Sequence, residues 1–477
     1  VTARQSPDQA GGAAGDGGAL CIVLHTHMPY VEGFGTWPFG EEWLWEAIAT
    51  CYLPLLDVLE RAPITLSLTP VLCDQLAAPG IADRCLTFLR EVRTETHRLD
   101  REGFRAVGES ELARAIERSG EHYARAAERM ADLDGDILGA LAKHVSWTSS
   151  ATHAVLPLLA TDAGIRLQVQ TGIESHRARF GAWRGGFWLP ECAYAPHLDR
   201  LLEEAGVHAT CLDLTDVFGR GAPEHLRPLR LPGGPIAVPI DRETIELVWS
   251  DHGYPQAGPY RDTHRLTHHH HRPWANHGGP YDEDAAFAQA RADAADFVGR
   301  VRDRLAAAGG QGLCVFAVDT ELLGHWWHEG VAWLDAVVDE AQRAGVSIVG
   351  LDDALEGIEP AAAPDGELPV SSWGRGRDLS TWSAPEVADL AWQARAAELR
   401  LLRRLPDIPD AAVRALLAVQ ASDWAFQVSY ELAGPYPRQR ATEHARSLDA
   451  ALSGLESAAA AVRGIAPRSS SAPLLVP

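Results

Sequence analysis

Short apolar runs recur along this chain, and several of them finish on a polar or ionisable side chain. The first, Ala19-Leu20-Cys21-Ile22-Val23-Leu24, ends at His25-Thr26-His27. Residues 64–69 alternate and are closed by Pro70. Further strands are predicted over 186–189, 209–212, 236–240, 244–249, 313–318 and 346–351, leading among them into Glu191, Asp213, Ser250, Asp319 and Asp352. Helical periodicity fills much of the space between, over 41–61, over 284–308 before Gly309-Gly310, and over 331–344 before Gly345. Buried strands alternating with helices, with polar groups at the strand C-terminal ends, are the pattern of a parallel α/β barrel whose site sits at one mouth.

Two stretches depart from that alternation. From about 74 to 141 the pattern is charged and helical with no strand, which reads as a helical insertion. A Pro/Ala/Gly-rich stretch over 357–369 reads as a linker, and helices over 384–405, 410–421 and 438–463 make 370–463 a C-terminal helical domain. The barrel with its insertion then occupies 19–356, flanked by a flexible arm at 1–18 and a loose tail at 464–477.

Charge and cysteine usage narrow the function classes. Acidic residues outnumber Lys and Arg by 65 to 42, a net charge of −23, which repels phosphate backbones and anionic lipid and argues against nucleic-acid and membrane partners. No run approaches the roughly 18 apolar residues of a membrane span. The seven cysteines are scattered without a C-x-x-C pair, as suits reduced thiols, so a cytoplasmic location is expected.

Three segments carry chemistry. In a strand, residues two apart share a face, so His25 and His27 point the same way. They could bind metal, hydrogen-bond a polar substrate or sit as satisfied core residues. Glu191 directly follows an apolar run and lies between Trp188 and Tyr194, where partial desolvation would tune it as a nucleophile or acid. Asp319 caps the run 313–318 and precedes Glu321, His325, Trp326, Trp327 and His328. A helix N-cap is the competing use of Asp319, and Glu321 could take its chemical part; Asp319 is preferred because it stands at the strand end. Two strand-end carboxylates meeting across a barrel mouth are the minimum apparatus for glycoside cleavage. The 15 tryptophans outnumber the 11 phenylalanines and 9 tyrosines, which suits flat sugar faces. A metal-dependent barrel hydrolase built on His25, His27, His153 and Asp319 is the mechanistic rival.

Five ordered segments together resemble a known family: His25-Thr26-His27-Met28-Pro29-Tyr30-Val31; Ala151-Thr152-His153 with Leu156-Pro157-Leu158-Leu159; Trp188-Leu189-Pro190-Glu191-Cys192-Ala193-Tyr194; Asp319-Thr320-Glu321-Leu322-Leu323-Gly324-His325-Trp326-Trp327; and Ser372-Trp373-Gly374. The family is glycoside hydrolase family 57, in particular its 1,4-α-glucan branching group. The resemblance implies an incomplete (β/α)7 barrel with a helical insertion and a C-terminal helical domain that completes the cleft. It implies a retaining double displacement on α-glucan such as amylose or glycogen, without metal or organic cofactor. Glu191 would be the nucleophile and Asp319 the general acid and then base. His25, His27, His153 and Trp249 would hold the donor sugar, with Trp373, Trp382 and Asp423 from the C-terminal domain. Trp43, Trp188, Arg242, Gly253, His325 and Trp424 complete the candidate substrate-binding set.

The chain departs from the family pattern in three places. Branching members carry a longer loop after the strand matching 209–213, with a tyrosine that covers the cleft, whereas this chain has no tyrosine between Tyr194 and Tyr254. A family 57 α-amylase, a 4-α-glucanotransferase and a non-catalytic glucan-binding protein therefore stand as alternatives. In Ile240-Asp241-Arg242 the arginine follows the aspartate, where the family often places it before. His268 to His271 has no counterpart and reads as an exposed loop.

Overall fold

The computed structural model describes residues 18–35, 40–364, 368–455 and 463–476, so the arm read at 1–18 lies outside them except for Gly18. In chain order the strands are β1 (Ala19–Thr26), β2 (Thr65–Leu68), β3 (Val145–Ser149), β4 (Phe187–Trp188), β5 (Ala209–Leu212), β6 (Leu229–Arg230), β7 (Ile236–Pro239), β8 (Leu313–Asp319), β9 (Ser347–Ile348) and β10 (Ala361–Ala362).

β1 lies between β8 and β2, β3 follows β2 and β4 follows β3, all parallel. A parallel bridge from Gly186 to Ala209 carries the curl on to β5, which pairs in parallel with β7. The Asp241 N–H then donates to the Val315 carbonyl at 2.8 Å, tying the end of β7 to β8. The result is a parallel (β/α)7 barrel joined loosely at one seam. β1 is buried along its whole length, as expected for a strand covered on both faces. Its register sets His25 beside Ser67 and Asp319, bringing the polar strand ends together at one mouth.

Between β2 and β3 the chain is helical, and its longest helix is Ser110–Asp132. After β10 come the helices Ala388–Leu402, Asp410–Val419, Asp423–Ser429 and Tyr436–Leu452; the first, second and fourth share a core of Leu401, Val413, Leu416, Leu417 and Leu448, and the third packs in a second cluster through Trp424 and Ala425. This helical part docks on the barrel through Thr152, whose hydroxyl donates to the Leu417 carbonyl at 2.6 Å, and through the Ser422 N–H, which donates to the His153 carbonyl at 3.2 Å. Among the described residues no helix is long and apolar enough to cross a membrane.

Several local expectations change. Residues 244–249 are not a strand: a helical turn at Arg242–Ile245 continues into further turns. Ile245 and Val248, three apart, are the buried apolar residues there, and with the buried Thr244 they give a helical spacing. The run 346–351 pairs only at β9. β3 has no counterpart among the predicted strands, because its Ser and Thr disguise it. They are buried all the same, since Ser149 donates to the Trp188 carbonyl at 2.8 Å and Thr148 to the Gly172 carbonyl at 3.3 Å. Gly172 permits its helix, Asp162–Phe180, to lie so close, since a Cβ there would come within 2.1 Å of the Ser149 carbonyl oxygen. The supposed linker 357–369 contains β10, paired with β6; its residues 365–367 lie outside the described set. The helix read at 438–463 runs over Tyr436–Leu452, and 456–462 also lie outside the described set. The tail is packed rather than loose. Ile465 and Leu474 are buried, and the Ala466 N–H donates to Asp74 at 2.7 Å.

Candidate active site

A cavity of about 1490 Å³ opens at the strand C-terminal ends and is lined by both Glu191 and Asp319. Glu191 follows β4 in the left-handed region at φ 62°, with Cys192 at φ 49° and His153 at φ 58°. Such conformations cost about 1–3 kcal/mol each in a non-glycine residue and collect at functional sites. On the opposite side Gly324, at φ 99°, shapes the turn after β8; a Cβ there would come within 2.0 Å of the Thr50 carbonyl oxygen.

The Glu191 carboxylate is held by two side chains from the C-terminal part. The Trp373 indole N–H donates to its Oε2 at 3.0 Å and the Ser422 hydroxyl to its Oε1 at 3.2 Å. Because Ser422 has one proton to give, the 2.9 Å contact with His153 Nδ1 requires that nitrogen to be the donor. His153 Nε2 is then bare and accepts from His25 Nε2 at 2.9 Å, which leaves His25 Nδ1 to accept from the Ser67 hydroxyl at 3.1 Å. The chain of donors from Ser67 through His25, His153 and Ser422 thus points at Glu191. Burial, then the charge of His27, keeps both His25 and His153 neutral, well below the ordinary imidazole range.

His27 differs. Burial opposes its charge, but the Asp423 carboxylate 2.8 Å from Nε2, with Glu321 and Glu191 nearby, raises its basicity. Burial is the largest influence on the carboxyls. Glu191 is pushed up to about 7, with Trp373 and Ser422 pulling the other way. Asp319 is raised well above its ordinary value by burial and then by the charges of Glu191 and Glu321. Glu321 is raised to about 7 despite accepting from the Tyr52 hydroxyl at 2.5 Å. Burial raises both carboxyls, and the charge of an ionised Glu191 raises Asp319 further, so ionisation of the one favours the protonated form of the other, the division of labour a nucleophile and an acid need.

Of the residues singled out from sequence, His27, Trp43, His153, Glu191, Arg242, Trp249, Asp319, His325, Trp373 and Asp423 line the cavity. Five do not. His25 lies behind His153 and stacks on Trp188 at 4.8 Å, and both rings are fully buried. Gly253 serves a tight turn, where a Cβ would come within 2.8 Å of the Leu247 carbonyl oxygen. Trp382 is buried against Gly374, and Trp424 is buried with its indole N–H donating to the Ala418 carbonyl at 2.8 Å. Arg242 makes an ion pair with the buried Asp213, and Asp241 is taken by Arg304 at 2.8 Å.

The histidine run also differs from its reading as an exposed loop. His269 bonds Asp100 at 2.6 Å, and His271 is buried with its ring 3.8 Å from that of His97. Asp100 belongs to the helix Thr94–Ala106, so the helical insertion draws the segment inward. Among the described residues no group of three or more His, Cys, Asp or Glu is arranged to hold a metal ion, and the imidazoles proposed as metal ligands are committed to the hydrogen bonds above. Ser422, Ser67 and Tyr52 were not singled out from sequence. For Ser422 the one available signal was its place immediately before Asp423.

Over residues 145–365 the chain matches the family model described as Glycosyl hydrolase family 57. It is 32% identical to the 1,4-alpha-glucan branching enzyme of Thermococcus kodakarensis, across 90% of this chain and 72% of that one. It is equally 32% identical to a probable 1,4-alpha-glucan branching enzyme of Mycobacterium tuberculosis, across 90% of this chain and 91% of the other. The crystal structure of the branching enzyme from Thermococcus kodakaraensis in complex with glucose and additives superposes with a TM-score of 0.85 at 29% identity, covering 96% of each chain.

Proposed function

The chain belongs to glycoside hydrolase family 57, and from that membership and its site we propose that it is a 1,4-α-glucan branching enzyme that works by a retaining double displacement. The observation that carries this reading is the pair of buried carboxyls, Glu191 and Asp319, facing one cavity. In the first step the Glu191 carboxylate attacks the anomeric carbon as the C1–O4 bond breaks, and protonated Asp319 gives its proton to the departing O4. The transferred segment is then an ester of Glu191. In the second step the 6-hydroxyl of another glucan chain attacks C1, its proton passes to Asp319, and the C1–Oε bond to Glu191 breaks. Two inversions leave the α configuration and create an α-1,6 link.

The surroundings support these roles. Trp373 and Ser422 stabilise the carboxylate form of Glu191 against its burial, and both come from beyond the barrel. His27 lies at the cavity wall between Asp423 and Glu321, which favour its charged form, and Trp43 and Trp249 line the same cavity beside the donor sugar, while His153, bonded to both Ser422 and His25, positions Ser422 against Glu191. In this reading the barrel of 19–356 supplies both reacting carboxyls and the helical part of 370–463 secures one of them. Glycogen-type glucan is the proposed substrate. A cytoplasmic site is the proposed location, supported by the seven cysteines, which are all free and buried.

Hydrolysis is the second reading, favoured by the missing tyrosine: β5 leads into a short helix at Thr215–Phe218, and the chain has no tyrosine from 195 to 253. Incubation with amylose, followed by debranching, separates the two. Many new branch ends with few new reducing ends are expected; the reverse proportion would make the protein a hydrolase.

A pH profile tests the assignment of the nucleophile. Glu191 must be ionised to attack, so kcat/KM rises with pH through about 7, and it falls again at higher pH as Asp319 loses its proton. The Ser422 hydroxyl favours the carboxylate, so Ser422→Ala raises the Glu191 carboxyl further and moves the rising limb up by about one pH unit. A rising limb that stays in place would detach it from Glu191.

A further inference from the structure

The cavity that holds the two carboxyls is also lined by residues of the helix Ser110–Asp132, of the loop 261–272 and of the turn after β8. Three buried nitrogens in residues of this wall have no hydrogen-bond partner: Arg261 Nε, Arg272 Nε and His271 Nε2. Arg261 is only 9% exposed and His271 only 4%. The Arg261 guanidinium lies over the Tyr281 ring at 4.4 Å, which fixes its plane without using its donors. Buried polar groups are nearly always bonded, so orphaned ones gathered on a cavity wall mark groups that bind a ligand.

The rest of the wall decides the ligand's chemistry. Glu42 and Glu46 line the same cavity together with Arg93, which pairs with both, so charges of both signs alternate along the wall and a polyanion would meet carboxylates as well as guanidinium groups. Guanidinium donors beside carboxylate acceptors suit a neutral chain of hydroxyls, each of which both accepts and donates. Trp326, 52% exposed at the same cavity, offers a flat face for a sugar ring.

Position decides which glucan chain it is. Glu321, Gly324, His325 and Trp326 follow Asp319 and line the cavity; the Arg261 N–H donates to Glu329 at 3.2 Å and the Arg272 charge acts on His325 and His328, so the loop 261–272 packs on the turn that leaves Asp319. The group that protonates the departing oxygen also deprotonates the arriving one, so the chain that brings the new hydroxyl must approach from that side. We infer that the arm walled by Arg261, His271, Arg272 and Trp326 is a binding site for the acceptor glucan, presenting its 6-hydroxyl to Asp319. The inference rests on the branching reading above. It also gives the inward-folded histidine segment a use, since that segment places Arg272 at the wall.

The test is Arg272→Gln against the parent enzyme on amylose, counting branch ends after debranching and new reducing ends in the same samples. Losing charged hydrogen bonds to the acceptor lowers branch ends per reducing end on the order of tenfold. Trp326→Ala removes a half-exposed ring with no core to disturb, so it carries the test if Arg272→Gln fails to fold; a fall of about threefold is expected from the lost stacking. An unchanged ratio in the folded variants overturns the inference, as does a parallel fall in both products, which would put the arm on the donor side. A parent enzyme that makes no branch ends overturns the branching reading itself, and the acceptor site with it.

Discussion

Glu191→Gln is expected to abolish branch formation and reducing-end release together, each by roughly 10⁴-fold or more, because an amide cannot attack the anomeric carbon. Initial rates of both products on amylose are the measurement. A residual rate within tenfold of the parent would remove Glu191 from the nucleophile's role. The same substitution should stabilise the protein at neutral pH. Burial raises the Glu191 carboxyl from 4.5 to about 7, so its ionised form weighs against the fold. That cost is absent below the unfolded value and complete once pH exceeds the folded one. The neutral amide carries no such cost. Part of the gain is offset, because Trp373 and Ser422 both donate and an amide presents only one oxygen. Denaturation midpoints should therefore match at low pH and favour the variant above about pH 7. An inactive and less stable variant at every pH would point to a structural role instead.

Asp319→Asn is expected to slow the reaction on natural glucan by about 10²–10⁴-fold, the usual contribution of a positioned acid and base. Its signature is selectivity. A substrate whose leaving group departs without a proton should still form the ester on Glu191, while the second step, which needs the base, stays slow. The covalent glycosyl-enzyme should then accumulate and be visible as added mass on the intact protein. Equal losses on activated and natural substrates, with no added mass, would shift the role elsewhere, and Glu321 would be next. Glu321 is tied to the Tyr52 hydroxyl, whereas Asp319 has no hydrogen-bond partner among the described residues and is free to hand over a proton.

The sequence on its own carried the barrel and its chemistry a long way. β1 and β8 are contiguous apolar runs, and a run of that length ending in a charged or imidazole side chain has few uses outside a buried parallel strand. Glu191 and Asp319 were legible because each stands at the end of such a run, and the helices closed by glycine were legible because their stop signals are local. β3 was not legible, because its buried Ser and Thr are satisfied by carbonyls of Trp188 and Gly172 that lie far along the chain.

Direction and depth were decided by tertiary structure. Trp188, Trp382 and Trp424 turn away from the cavity while Trp43, Trp249 and Trp373 face it, and nothing in the local sequence separates the two groups. Ser422 reaches Glu191 across 231 positions of chain. The histidine segment turns inward because Asp100, on a helix far upstream, holds it there. Local sequence encodes whether a segment can form a strand or a helix, since that depends on backbone geometry and on neighbours within a few residues. Which way a side chain points, and whether it meets a partner, depends on how distant elements pack, and that is settled only when the whole chain has folded.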